Sequence, residues 1–199
     1  MKTLILLLTL TSSIFALTIN DSLLKVHATL VPKIYLMDYK FKDKLQNNTI
    51  TIAIMYEANE YRDAKELQKK IQNKYKNGIK SYKIEATLVN YRNIQTARAN
   101  IYYLLPSKSK EIKSVVKKAA SENALTFSYL KDDLKYGVMI SLNVSKKIKP
   151  LLNLKAIKEN KIALRPVLID ISTIYLPNLG STNELLNRRD FNFYRTYLA

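Results

Sequence analysis

The sequence contains no cysteine and no tryptophan, and only one histidine and three glycines among its 199 residues. Without cysteine there is no disulfide, no thiolate metal site, no cysteine nucleophile and no N-terminal cysteine to carry a lipid anchor. The lone His27 cannot build a multi-histidine metal site. Gly78, Gly137 and Gly180 stand far apart, whereas a P-loop or a dinucleotide-binding turn needs several glycines in one loop. Acidic residues are scarce too: 16 Asp and Glu against 33 Lys and Arg leave a net charge of +17. These absences exclude most familiar enzyme signatures. Composition alone does not state a function.

What is present is a chain of single-domain length, 47% hydrophobic, able to bury a core and unlike a disordered basic tail. The charge has two readings. Lysine supplies most of it, and Asn and Ile are also abundant, the bias that an AT-rich genome produces whatever the function. The other reading is an acidic partner or an anionic surface. Basic residues are spread over 64–83, 86–110 and 135–165 rather than gathered in one tail.

Met1-Lys2-Thr3, the apolar run Leu4 to Leu10 and Thr11-Ser-Ser-Ile-Phe-Ala16 have the three-part layout of a secretory signal peptide, cleaved after Ala16. The apolar run is too short to span a bilayer, and every later one is interrupted by Lys, Asp or Asn. The expectation is a signal peptide at 1–16, one domain over 17–176 and a polar tail over 177–199. The high Lys and short signal suggest a bacterial periplasm, and export removes DNA and RNA as natural partners.

The mature chain alternates between strand and helix patterns. Leu23, Leu24, His27, Leu30, Val31 and Ile34 recur at helical spacing after Asp21-Ser22, a pair expected to cap that helix, with Pro32 kinking or ending it. Thr49–Tyr56 reads as a strand buried on both faces. Asn59 is expected to cap a helix that stops at Asn77-Gly78. Further strands are expected at 82–89, 99–105 and 125–130, with a helix over 108–122. An antiparallel hairpin, 138–144 with 148–152, and short helices over 154–159 and 166–175 complete the domain. Strand–helix–strand repetition predicts a Rossmann-like, flavodoxin-like α/β fold, mainly a parallel sheet with helices on both faces and a C-terminal antiparallel hairpin. Ligands of such folds bind beyond the carboxyl ends of the strands, here the loops 57–60, 90–98, 106–109 and 131–137.

Candidates for chemistry are few. His27 falls on the apolar face of its helix, where a packed, hydrogen-bonded imidazole is expected. Asp132-Asp133 reads as a solvated turn, and Asp170 has no basic or nucleophilic companion nearby in sequence. Ser114-Val-Val-Lys117 matches S-x-x-K but lies on an ordinary amphipathic helix, and no G-x-S-x-G elbow occurs. The chain is expected not to be an enzyme, and no cofactor is called for. Arg92 and Arg98 flank a loop without acidic residues and are candidates to bind an anion, since guanidinium forks suit carboxylate or phosphate. Asn153, between an apolar strand and a helix, is placed to cap that helix and hold the hairpin against it.

Three segments carry a resemblance. They are Lys33-Ile-Tyr-Leu-Met-Asp-Tyr-Lys40 leading into the strand Ile50–Tyr56, Gly137-Val-Met-Ile-Ser-Leu142, and Pro150-Leu-Leu-Asn153-Leu-Lys-Ala156 followed by Ile162–Ile169. In this order they resemble the YfiR-like family of small periplasmic α/β proteins over about Leu23 to Tyr175. In that family a Gly-led strand precedes an Asn-Leu-x-Ala turn, which makes Gly137 and Asn153 the matching hallmarks. The best-known members carry disulfide cysteines, so redox control is not open to this chain. Their aromatic-acidic-Trp-Pro ending of the first helix is replaced here by Leu36-Met-Asp-Tyr39. The resemblance implies a regulator that restrains an inner-membrane signalling protein, typically a diguanylate cyclase, through its periplasmic sensor domain. The alternative is a stand-alone periplasmic module for a small anion. An anionic membrane surface is a further partner for the charge, and a homodimer is left open.

Overall fold

The computed structural model describes residues 19–144 and 147–176. The expected signal peptide and the 177–199 tail lie outside them. Seven strands form one sheet in the order β2-β1-β3-β4-β5-β6-β7. They are β1 Thr49–Tyr56, β2 Lys83–Asn90, β3 Ile101–Leu104, β4 Leu125–Ser128, β5 Ile140–Val144, β6 Ile148–Leu152 and β7 Thr173–Ile174. β1 to β5 are mutually parallel, β6 is antiparallel to β5, and β7 is parallel to β6. The parallel part thus has the flavodoxin order 2-1-3-4-5, with the hairpin added at its edge.

The apolar run of β1 is buried on both faces because each face is covered. Ile50, Ile52 and Ile54 point into one core, with α1 (Asp21–Tyr35), α2 (Tyr61–Lys74), α4 (Leu154–Glu159) and α5 (Pro166–Ile171). Ala53 and Met55 point into the other, closed by α3 (Ser109–Glu122) through Ile112, Val115 and Ala119. That second face is also covered by the 3-10 segment Tyr91–Thr96, whose Tyr91 and Ile94 are buried. A strand with period-two alternation between two apolar layers has no polar side left.

Several helix boundaries differ from the sequence expectation, each for a local reason. α1 is capped by Asn20, whose side chain accepts from the Leu23 N–H, and Asp21 is its first residue. Pro32 neither ends nor breaks α1. It lies in the last turn, its ring is buried, and the turn closes through Leu36 N–H to the Pro32 carbonyl at 3.3 Å. Asn59 caps nothing; it sits in a 3-10 turn, Ala58–Glu60, that runs straight into α2. The last expected helix stops at Ile171, and Thr173–Ile174 forms β7 instead. Asp133 is buried rather than solvated: the Ser128 hydroxyl donates to its carboxylate at 2.5 Å.

Candidate functional site

His27 faces the sheet from α1 and is fully buried. Its Nδ1 shares a hydrogen bond with the Tyr103 hydroxyl at 2.8 Å, while Nε2 has no partner. The rings of Tyr103, Phe127 and Tyr129 enclose it. Burial lowers its pKa to about 3, so the imidazole stays neutral, since no anion is there to compensate a charge. A neutral ring sealed among aromatics meets no substrate.

Gly137 and Asn153 form a structural joint. Gly137 ends the 3-10 segment Lys131–Tyr136 with φ +96, and an added Cβ would lie 3.1 Å from Val116 Cγ1. Asn153 is buried and does three things at once. Its Oδ1 accepts from Ala156 N–H, capping α4; its Nδ2 donates to the Leu134 carbonyl; its backbone N–H donates to Met139. One side chain thereby ties the connector before β5 to the helix after β6.

The two arginines are separated. Arg92 follows Asn90, the last residue of β2, paired with Tyr56 at the carboxyl end of β1. The Asn90 side chain accepts from Arg92 N–H and starts the 3-10 segment, which crosses the sheet face to its opposite end. Arg98 lies at that opposite end, just before β3. They share no crevice, because parallel strands must be joined by a connector that returns along the sheet. The carboxyl-end loops carry acids as well as Arg92, Lys108 and Lys131. Burial raises the pKa of Glu60 and of Asp133, and Glu57 accepts from the Ser107 hydroxyl. Buried Tyr91 is held protonated, first by desolvation and then by the charges of Asp133, Glu57 and Glu60.

A cavity of about 690 Å³ lies at the amino ends of β1, β3 and β4, lined by Lys40, Lys44, Arg98, Asn100, Glu122 and Lys161 among others. Two long-range contacts build it. Tyr39 N–H donates to Ala163, and Arg165 N–H to Met37, at 2.8 and 2.7 Å. This brings Lys40 and Lys161 to one rim. Asp38 sits beneath, 2% exposed, accepting from Lys40 N–H, Ala163 N–H and the Lys44 ammonium at 2.6 Å. Asn100 fixes the floor: its Oδ1 accepts from Thr51 N–H and hydroxyl, and its Nδ2 donates to the Lys44 carbonyl. Asp38, Asn100 and Lys161 were not singled out from sequence. For Asp38 the signal was an acid amid Ile34, Tyr35, Leu36 and Met37, an apolar setting that a carboxylate occupies only when paired.

A comparison with protein families decides the identity: the YfiR/HmsC-like family matches residues 39–173. The chain belongs to this family. The YfiR/HmsC-like match begins at residue 39, just after α1, rather than at Leu23 as the resemblance suggested, and includes Asp38's neighbour Tyr39, the whole sheet up to Thr173, Gly137 and Asn153. Curated proteins give no sequence match to this chain. Among solved structures it is similar to a conserved domain protein from Vibrio cholerae O1 biovar eltor, at 14% identity and TM-score 0.55, covering 76% of this chain and 59% of that one. It is also similar to the ABC domain in complex with L-Trp from Streptococcus pneumonia, at 13% identity and TM-score 0.50, covering 77% and 60%. The chain spans about three fifths of the length of both, and at these identities the likeness is one of fold. Among the described residues no helix is long and apolar enough to cross a membrane, and no cluster of His, Asp and Glu could hold a metal ion.

Proposed function

We propose that this YfiR/HmsC-like chain is a non-enzymatic periplasmic regulator that docks on the sensor domain of an inner-membrane signalling protein, a diguanylate cyclase or a sensor kinase, and restrains it. Family membership across residues 39–173 carries the reading. Two features support it. His27 is sealed in the core and cannot serve as a base. α5 turns Val167 and Ile171 to solvent, each 55% exposed and one helical turn apart, an apolar pair suited to a protein contact. The positive charge favours an acidic partner or an anionic membrane surface.

Deleting the gene is expected to raise cyclic di-GMP, and a Val167→Asp/Ile171→Asp chain is expected to fail to restore the level while remaining folded by circular dichroism. A level indifferent to deletion under all growth conditions sinks the cyclase reading. A pull-down from solubilised inner membrane identifies the partner. A second reading, a module for a small anionic ligand, is favoured by one observation: Arg98 lines a basic cavity. Arg92 does not take part in it.

A further inference from the structure

We propose that the cavity at the amino ends of β1, β3 and β4 binds a small, non-aromatic dianion of phosphate-monoester chemistry, held by Arg98, Lys161 and Lys40. The proposal deepens the second reading and rests on it, and it moves the ligand to the end of the sheet opposite the one where this fold class usually binds.

Charge accounting within the cavity gives the sign of the ligand. Lys44 is already neutralised by buried Asp38, and Glu122 by Lys118 at 3.0 Å, its other oxygen accepting from the Tyr102 hydroxyl at 2.5 Å. Among the described residues Lys40, Arg98 and Lys161 have no ion pair, and of the lining carboxylates only Asp43 is left without one. The surplus is two positive charges, which one dianion neutralises. Arg98 supplies a planar fork and the lysines point charges, the combination that suits a phosphoryl group.

Shape gives the class. About 690 Å³ admits a small metabolite, yet the apolar walls are Leu45, Ala99 and Ala124. Among the described residues no aromatic ring lines the cavity to stack a nucleobase. The floor is rigid before any ligand arrives, because Asn100 and Asp38 bind Thr51, Lys44 and Ala163 into one network.

Lys161 adds an independent observation. It follows α4 in the left-handed region at φ 54, its N–H bonding to Lys158 and the next N–H to Ile157. Helices end this way with glycine or asparagine. The chain does so elsewhere, with Asn123 after α3 and Gly137 after the 3-10 segment. At α4 it accepts a strained lysine, and that lysine lines the cavity. (Lys80, the other left-handed lysine, lies in the turn before β2 and away from it.) Strain retained where a less strained residue would fit points to a role for the side chain.

Free phosphate monoesters and the phosphatidic acid headgroup share this chemistry. The test titrates the purified protein with glycerol 3-phosphate by calorimetry at matched ionic strength, and separately with vesicles containing phosphatidic acid. Saturable one-to-one binding is expected, weakened about tenfold or more by Arg98→Gln and by Lys161→Gly, and unchanged by Lys110→Gln at the opposite end. Lys161→Gly is expected to raise Tm by about 3 °C while it weakens binding; a merely structural residue would move both in one direction. Vesicle binding without free-ester binding, lost in the same two variants, identifies a headgroup as the source. Binding that both variants leave intact overturns the site but leaves an anion-binding protein. No saturable binding to ester or vesicle overturns site and reading together.

Discussion

Asp38 is the residue on which most of the cavity rests. Its carboxylate is almost fully buried and has three donors, one of them the Lys44 ammonium. Asp38→Ala leaves a largely buried ammonium and two backbone N–H groups without partners, and is expected to cost about 3–5 kcal/mol in urea denaturation. His27 sets a pH dependence whose sign follows from its pKa, lowered from 6.5 to about 3 by burial. Below pH 6.5 the unfolded chain takes up a proton that the native imidazole refuses, so this contribution to stability is complete above 6.5 and lost as pH falls toward 3. Asp133 acts in the opposite sense. Burial raises its pKa, so acid favours its native, neutral form. His27→Gln keeps a partner for Tyr103 and should lose less stability than wild type between pH 6.5 and 4. The difference in slope is at most about 1.4 kcal/mol per pH unit, measured from denaturation midpoints. Equal slopes would remove His27 as the cause.

Elements with strong periodicity were legible in the sequence. β1 and α4 have the bounds expected of them, and the β5–β6 hairpin pairs Val144 with Ile148 as the short connection required. The 3-10 segments were not legible, since three-residue turns lack a stable apolar period. β7 was absorbed into the preceding helix because a two-residue strand carries no pattern of its own. Turns at element ends offer a graded test. At Gly78, with φ +73, an added Cβ would lie 2.3 Å from the Tyr82 carbonyl oxygen, which is backbone. At Gly137 the obstacle is the Val116 side chain at 3.1 Å. Both alanine variants meet the left-handed penalty of about 1–2 kcal/mol. Gly78→Ala is expected to exceed that range and Gly137→Ala to stay near it, by chemical denaturation. The reverse order would mean that the turn around Gly78 yields more readily than the α3 contact.

Across the whole molecule the surplus of positive charge is uneven. Lys40, Lys44, Arg98 and Lys161 gather at the amino ends of the strands, whereas at the carboxyl ends Glu57, Glu60 and Asp133 sit among Arg92, Lys108 and Lys131. Sequence reasoning recognised a flavodoxin-like, mainly parallel sheet with a C-terminal hairpin but placed Arg92 and Arg98 at one end. The parallel pairing of β1 with β2 and β3 already required the connector to return, so Arg98, immediately before β3, had to lie at the amino end. Lys161 had no such signal, because its approach to Lys40 depends on a pairing between residues far apart in sequence. A net charge of +17 also repels itself. Raising NaCl from about 20 to 200 mM, across which the Debye length falls to roughly 7 Å, is expected to raise Tm; a fall would mean that ion pairs outweigh the repulsion. The contact between Asp38 and Ala163 spans 125 positions, so it closes the domain on itself. A closure of that length carries a large loop-closure cost, so it is expected to form after the local strand–helix units and to be absent when the folding barrier is crossed. Asp38→Ala should accordingly leave the folding limb of a chevron almost unchanged and steepen the loss of native chain on the unfolding side, making that one carboxylate a clasp that governs how long the domain stays shut.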